Sequence, residues 1–397
     1  MTQGSACDAL ELALLVARAN ALVPLKSMSA SETFDALTAA KHVLDKGIGT
    51  DLQRVSILYG LCTGNTLRAR MDVAFDLARQ IIEVAERQDD PTYHMIGHRL
   101  LGTLQFYAGQ NREALETLQR GGKYRDPRRQ RALSYRFGWD PSLAVLCFEV
   151  LVRLQLGLLD SAAQLSAQVK AELKDHPHPP SVATVTFCGN TWPMAVLGDL
   201  EGLERHSAEL VHYCADKKVE QIRLLAGLHR AYARAVREPV KTNIDFIHRA
   251  LDAVRKSGSN AGNSILISNL AEALLMGGDL AAAEAALEDA LAFVKQSGES
   301  YWLADIHRLS GRVALSRQEP DRLRAEACFR QAIEVAHAQE ARLLELRAAT
   351  DLARLWHDAG SPNDPRALLA PILAAIEGGE TTRDVLEART LLAELVA

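Results

Sequence analysis

The chain has 397 residues, of which 48% are hydrophobic and 24% charged, an ordinary balance for a soluble globular protein. Aromatic residues make up only 5%. Alanine and leucine therefore carry the apolar load, which suits close-packed helices and argues against a β-sandwich. A formal net charge of −5 supplies no overall attraction to nucleic acid or to an anionic membrane.

The first apolar stretch, LELALLVARANALV (Leu10–Val23), is interrupted by Glu11 and Arg18. These two lie seven residues apart and so share one helix face. The stretch reads as an amphipathic first helix, not as a signal peptide or a membrane span. Beyond it, a spacing recurs about every forty residues: a small or apolar residue, a second four positions on, and a third three positions after that. Its first positions fall at Phe34, Ala74, Ala114, Ala162, Leu203, Asn243, Ala283, Ala325 and Ala367. The cleanest copies are Ala283-x3-Leu287-x2-Ala290, Ala325-x3-Phe329-x2-Ala332 and Ala367-x3-Pro371-x2-Ala374. Residues three and four apart share a helix face, and small side chains there let one helix press against another.

Gly109, Gly157, Gly198 and Gly278 each stand five residues before a first position, where a left-handed residue can end the preceding helix. The pattern predicts an all-α fold: a right-handed α-solenoid of about nine tetratricopeptide-like helix pairs, with repeats of roughly forty residues. Each helix should run to about 16–17 residues, or about 25 Å. The whole of 1–397 forms one superhelix on this reading. Three places break the rhythm: an insertion at 121–141, a proline-rich loop at 175–181, and SPNDP (Ser361–Pro365). Pro193, after Trp192, should kink or restart its helix. Residues 380–397 read as a final capping helix.

The stretch AEACFRQAIEVAHAQEARLLELRAATDLARLW (Ala325–Trp356) resembles the end of the C-terminal helical-repeat region in a family of large bacterial signalling proteins. Those proteins join a class III adenylate or guanylate cyclase domain, or a DNA-binding domain, to a STAND-type ATPase and then to a tetratricopeptide-like superhelix. YRFGWDPSLAVLCF (Tyr135–Phe148) and LGTLQFYAGQNREAL (Leu101–Leu115) resemble other parts of the same region. The likeness runs through nearly the whole chain. There is no Gly-x4-Gly-Lys-Ser/Thr loop and no segment long enough for a cyclase domain. The resemblance thus implies only the superhelix, as a fragment or a free-standing relative. It implies a sensor or protein-binding role for this part, and names no ligand.

Few residues carry candidate chemistry. Six scattered cysteines without a CxxC read as reduced, buried residues of a cytoplasmic protein. His94 and His98 share a helix face, but no third metal ligand is evident; His176 and His178 lie in the proline-rich loop and read as solvated. No catalytic motif or dinucleotide fingerprint is present, so neither catalysis nor a cofactor is expected.

Charge is more informative. Lys123, Arg125, Arg128, Arg129, Arg131 and Arg136 crowd fourteen residues, with Tyr124, Tyr135, Phe137 and Trp139 among them. Two readings stand: a loop with solvated charges pinned to the stack by its aromatics, or a contact for a protein, an anion or nucleic acid. In the last repeats, Arg308 with Arg312 and Arg347 with Arg354 would line the concave face, where they could clamp an acidic peptide or a C-terminal carboxylate. Asp305, Glu345 and Asp351 are near enough in sequence to neutralise them. The functional expectation is a non-catalytic scaffold that binds a protein or peptide in its concave groove. The alternative is an effector sensor controlling an associated ATPase or cyclase.

Overall fold

The computed structural model describes residues 3–26 and 28–395, with the side chains of residues 3–5, 24–26 and Arg129 outside the description. Among the described residues the regular structure is helical, apart from one isolated parallel bridge between Leu158 and Glu377.

The helices pack in chain order, each against the next. The first six are α1 (Gln3–Lys26), α2 (Ser31–Leu44), α3 (Asp51–Leu67), α4 (Met71–Gln88), α5 (Pro91–Tyr107) and α6 (Asn111–Gly122). Two single turns, α7 (Pro127–Gln130) and α8 (Ser134–Phe137), precede α9 (Pro141–Gln155) and α10 (Leu159–Leu173). Helix α11 (Pro179–Thr186) passes through a π-helical turn at Phe187–Thr191 into α12 (Trp192–Leu197), with Pro193 in its first turn. That turn is how the chain absorbs the proline expected to restart the helix. The series continues with α13 (Leu200–Lys217), α14 (Glu220–Arg237), α15 (Lys241–Lys256), α16 (Asn263–Met276) and α17 (Leu280–Ser297). It ends with α18 (Leu303–Leu315), α19 (Arg322–Ala338), α20 (Arg342–Asp358), α21 (Pro365–Ala374) and α22 (Arg383–Glu394).

Each first position of the recurring spacing falls near the start of the second helix of a pair. Ala74, Ala78 and Ile81 of α4, Ala283, Leu287 and Ala290 of α17, and Ala325, Phe329 and Ala332 of α19 are all buried. Three copies are misregistered. In α15 the buried set is Ile247, Leu251 and Val254, and Asn243 instead donates its amide to the Glu238 carbonyl at 2.9 Å. In α2 the buried set is Thr33, Leu37 and Ala40. Phe34 is too large for the closest helix contact and moves to its edge, where its ring lies 4.0 Å from the Arg68 guanidinium. In α21, Ala367, Pro371 and Ala374 are exposed, and Leu369 is the buried residue. There the larger Leu369 gains more from burial than the alanines, and outcompetes them for the interior.

The predicted breaks also sharpen. The 121–141 insertion is built of short helical turns, and Gly138, left-handed at φ 82°, ends the last of them before α9. Within 175–181 the helix already resumes at Pro179, because prolines in a first turn forfeit no helical hydrogen bond. The capping helix spans Arg383–Glu394, and the last two residues of 380–397 lie outside the described ones.

The four corner glycines take φ of 72°, 75°, 69° and 80°, as their positions require. At Gly198 space matters as well, since a Cβ would lie 2.6 Å from the Arg383 guanidinium carbon.

These corners also join distant parts of the chain. Asn260 N–H donates to the Leu67 carbonyl at 2.6 Å, and Ser300 N–H to the Tyr107 carbonyl at 2.8 Å. Asn111 Nδ2 donates to the Gln339 carbonyl at 2.9 Å, and Glu377 N–H to the Gly157 carbonyl at 2.8 Å. The second half of the chain thus lies along the first. The inner helices are enclosed as a result. Every residue of α16 from Asn263 to Leu275 is buried, and α9 is buried on nearly all sides. Phe106, Tyr107, Phe148, Trp192 and Tyr301 meet between the halves, with ring centroids 4.8–6.5 Å apart.

Candidate binding site

The enclosed interior leaves an opening of about 720 Å³ toward the C-terminal end, between the last turns of α16 and α18, the length of α20, and α22. Its walls follow from helical spacing. On α18, Asp305, Arg308 and Arg312 lie three and four residues apart, and on α20 so do Arg347, Asp351 and Arg354. All four arginines expected on the concave face line this one pocket.

Two of them are consumed by structure. Arg308 is buried and donates to Asp305 at 2.6 Å and to Asp351 at 3.0 Å. Arg347 is buried and donates to Asp384 at 2.7 Å and to the Val196 carbonyl of α12. Arg383, flat against Gly198, also contacts Asp384 at 3.2 Å. Burial works to raise the Asp384 carboxyl, but Arg347 and Arg383 override it and hold it below its usual range. Burial and then Arg308 act in the same opposed way on Asp305. Leaving one partner of such a buried pair alone typically costs about 3–5 kcal/mol. Asp305 and Asp351 thus neutralise an arginine as anticipated. Glu345 does not: it faces Arg342 at 2.5 Å and His337 at 3.0 Å instead.

The rest of the basic lining has little or no partner. Arg312 is 34% exposed and reaches only Glu272, at 3.7 Å, while Glu272 accepts a 2.6 Å bond from Tyr232. Arg354 and Arg322 are exposed and have no ion pair among the described residues. An apolar side formed by Val236, Met276, Leu315 and Leu355 completes the pocket. Arg322, Arg383, Asp384 and Glu272 escaped the sequence reading. Arg383 and Asp384 belong to the capping helix, which no repeat spacing ties to α20. Arg322 precedes the α19 pattern that fixed the register.

The basic segment resolves differently. Arg125 donates to both the carbonyl and the hydroxyl of Ser142 at 3.0 Å and pairs with Glu172 at 2.5 Å. Arg131 donates to the Glu172 carbonyl at 3.3 Å. Tyr124 stacks on His94 at 4.8 Å, and Phe137 packs on Tyr59 at 4.5 Å. Trp139 is half-buried beside the buried Arg99, whose guanidinium lies 5.9 Å from the Trp139 ring and 5.1 Å from the Tyr59 ring. Arg131 and Trp139 are thus engaged within the fold and half-buried, whereas Arg128 and Arg136 are exposed and have no ion pair among the described residues. The Arg129 side chain lies outside the described residues.

Several polar groups depart from expectation for local reasons. His176 and His178 are buried: His176 bonds Asp140, the cap of α9, at 3.1 Å, and His178 bonds Ser181 at 2.9 Å. Cys7 is exposed and Cys328 half-buried, while the other four cysteines are buried. Among the described residues no group of three or more histidines, cysteines or carboxylates is placed to hold a metal ion. Among the described residues no helix is long and apolar enough to cross a membrane.

No protein-family model matches the chain. An uncharacterized protein of Rhizobium meliloti (strain 1021) is 22% identical to it over 364 residues, which cover 89% of this chain and 34% of that protein. The chain spans about a third of the length of this relative.

Proposed function

We propose that the chain is a non-catalytic binding module, a right-handed superhelix with units of about forty residues, that receives an acidic segment or terminal carboxylate of a protein or peptide partner in its C-terminal pocket. The observation that carries this reading is the division among the pocket arginines. Arg308 and Arg347 are spent on buried aspartates, whereas Arg312, Arg322 and Arg354 open onto the same space without a hydrogen-bonded carboxylate. Guanidinium groups so placed favour a carboxylate brought by a ligand. The apolar side formed by Met276 and Leu315 would take an adjoining aliphatic side chain. This reading uses the C-terminal part of the groove expected from sequence.

A second reading, an effector sensor controlling an ATPase or cyclase, draws on two observations. A pocket of about 720 Å³ is of small-molecule size. The match to a third of a longer relative also suits a regulatory segment.

Fluorescence polarisation against short acidic peptides with free C-termini tests the proposal. The expected result is salt-sensitive binding, weakened at least about tenfold by Arg322→Glu or Arg354→Glu and unchanged by Arg128→Glu. Equal binding by all three variants would sink it. Binding of small anionic metabolites but not of peptides would favour the sensor.

A further inference from the structure

Helix α1 buries Leu12 and Ala19 toward the stack, yet Leu10 and Leu14 on its outer side are each 63% exposed. Ala17 and Ala21 are exposed as well. Leu10, Leu14, Ala17 and Ala21 follow a 4-3-4 spacing, the seam of a two-helix coiled coil. Single exposed leucines need no explanation, but a continuous seam over three turns does.

We infer that α1 is the interface of a symmetric dimer, in which a second copy of this chain lays its own α1 antiparallel along the same seam. Three features select this occupant. The seam is bulky at one end and small at the other. In an antiparallel pair Leu10 therefore faces Ala21 of the second copy, Leu14 faces Ala17, and every layer holds one large and one small residue. A parallel pair would set leucine on leucine and leave the alanine layers gapped. The third feature is charge. Glu11 and Arg18 flank the seam on one side, both exposed and without an ion pair among the described residues. They are one heptad apart, so in an antiparallel pair each copy's Glu11 comes beside the other's Arg18, twice over. The two-fold axis closes the assembly at two chains, because the same patch serves both.

Sedimentation of the full chain across a concentration series, with the variants confirmed as folded by circular dichroism, tests this. The wild type should dimerise reversibly, and Leu14→Glu should be monomeric. Glu11→Arg and Arg18→Glu should each weaken the dimer at least about tenfold by opposing like charges. The double variant with both reversals should recover it, which no loss of folding can imitate. A wild type that stays monomeric at about 100 μM, well above ordinary weak association, overturns the inference. So does a dimer indifferent to the single reversals.

Discussion

Two regions of this molecule are equally rich in arginine, and they end in opposite conditions. Between Lys123 and Arg136 two cations are drawn into local architecture: Arg125 and Arg131 tie their segment to Ser142 and Glu172, while Lys123, Arg128 and Arg136 point separately into solvent. Along α18 and α20 the arginines converge. Buried Asp305, Asp351 and Asp384 hold one subset rigid, and the other subset shares a cavity with no hydrogen-bonded counter-charge. Density of charge therefore does not mark a site. A site needs some charges immobilised by partners so that others are held still without them.

This contrast can be broken most decisively at Asp384. Replacing it with alanine should strand Arg347 in the interior and destabilise the chain by about 3–5 kcal/mol in urea unfolding. A loss below about 1 kcal/mol would mean that the pocket wall is not held by its ion pairs. Glu299 supplies a sharper variant of the comparison, because it is a buried carboxyl with no cation. It accepts bonds only from Gly262 N–H, Ser264 N–H and the Ser264 hydroxyl, and burial pushes it up to about 7. A carboxyl raised in the folded state holds its proton more tightly there than in the unfolded chain. Its stabilising contribution is therefore fully present below about 4.5 and is lost as pH rises through about 7, on the order of 3 kcal/mol in all. Unfolding free energies measured between pH 5 and 8 should fall with pH in the wild type and lose that slope in Glu299→Gln. The smallest effects belong to the basic segment. Arg128→Ala and Arg136→Ala should each change stability by less than about 0.5 kcal/mol in the same assay.

The repeat architecture was legible because helix contacts impose a spacing that survives in small residues such as Ala283 and Ala332. Register failed where another force overruled that spacing. Phe34 was displaced by its own bulk, and Ala367 by the larger gain from burying Leu369. The site was half legible. The spacing of Arg308, Arg312, Arg347 and Arg354 placed them on one wall, but their pairing could not be read from it. Asp384 reaches Arg347 from 37 residues away, and Arg347 reaches Val196 from 151. No local pattern encodes such separations. The same holds for His176, whose partner Asp140 lies across two helices.

The hydrogen bonds that join Leu67 to Asn260 and Tyr107 to Ser300 have a consequence for how the chain folds. A simple row of repeats has only neighbour-to-neighbour terms, so it can nucleate anywhere and fray from its ends. Here residues about 200 positions apart share bonds, which raises the mean sequence separation of native contacts and slows their formation. The early pairs do not acquire their full set of contacts until the late ones have been made. Removing the segments around Asn260 and Ser300 should therefore loosen α3 and α5, whose terminal carbonyls they bond.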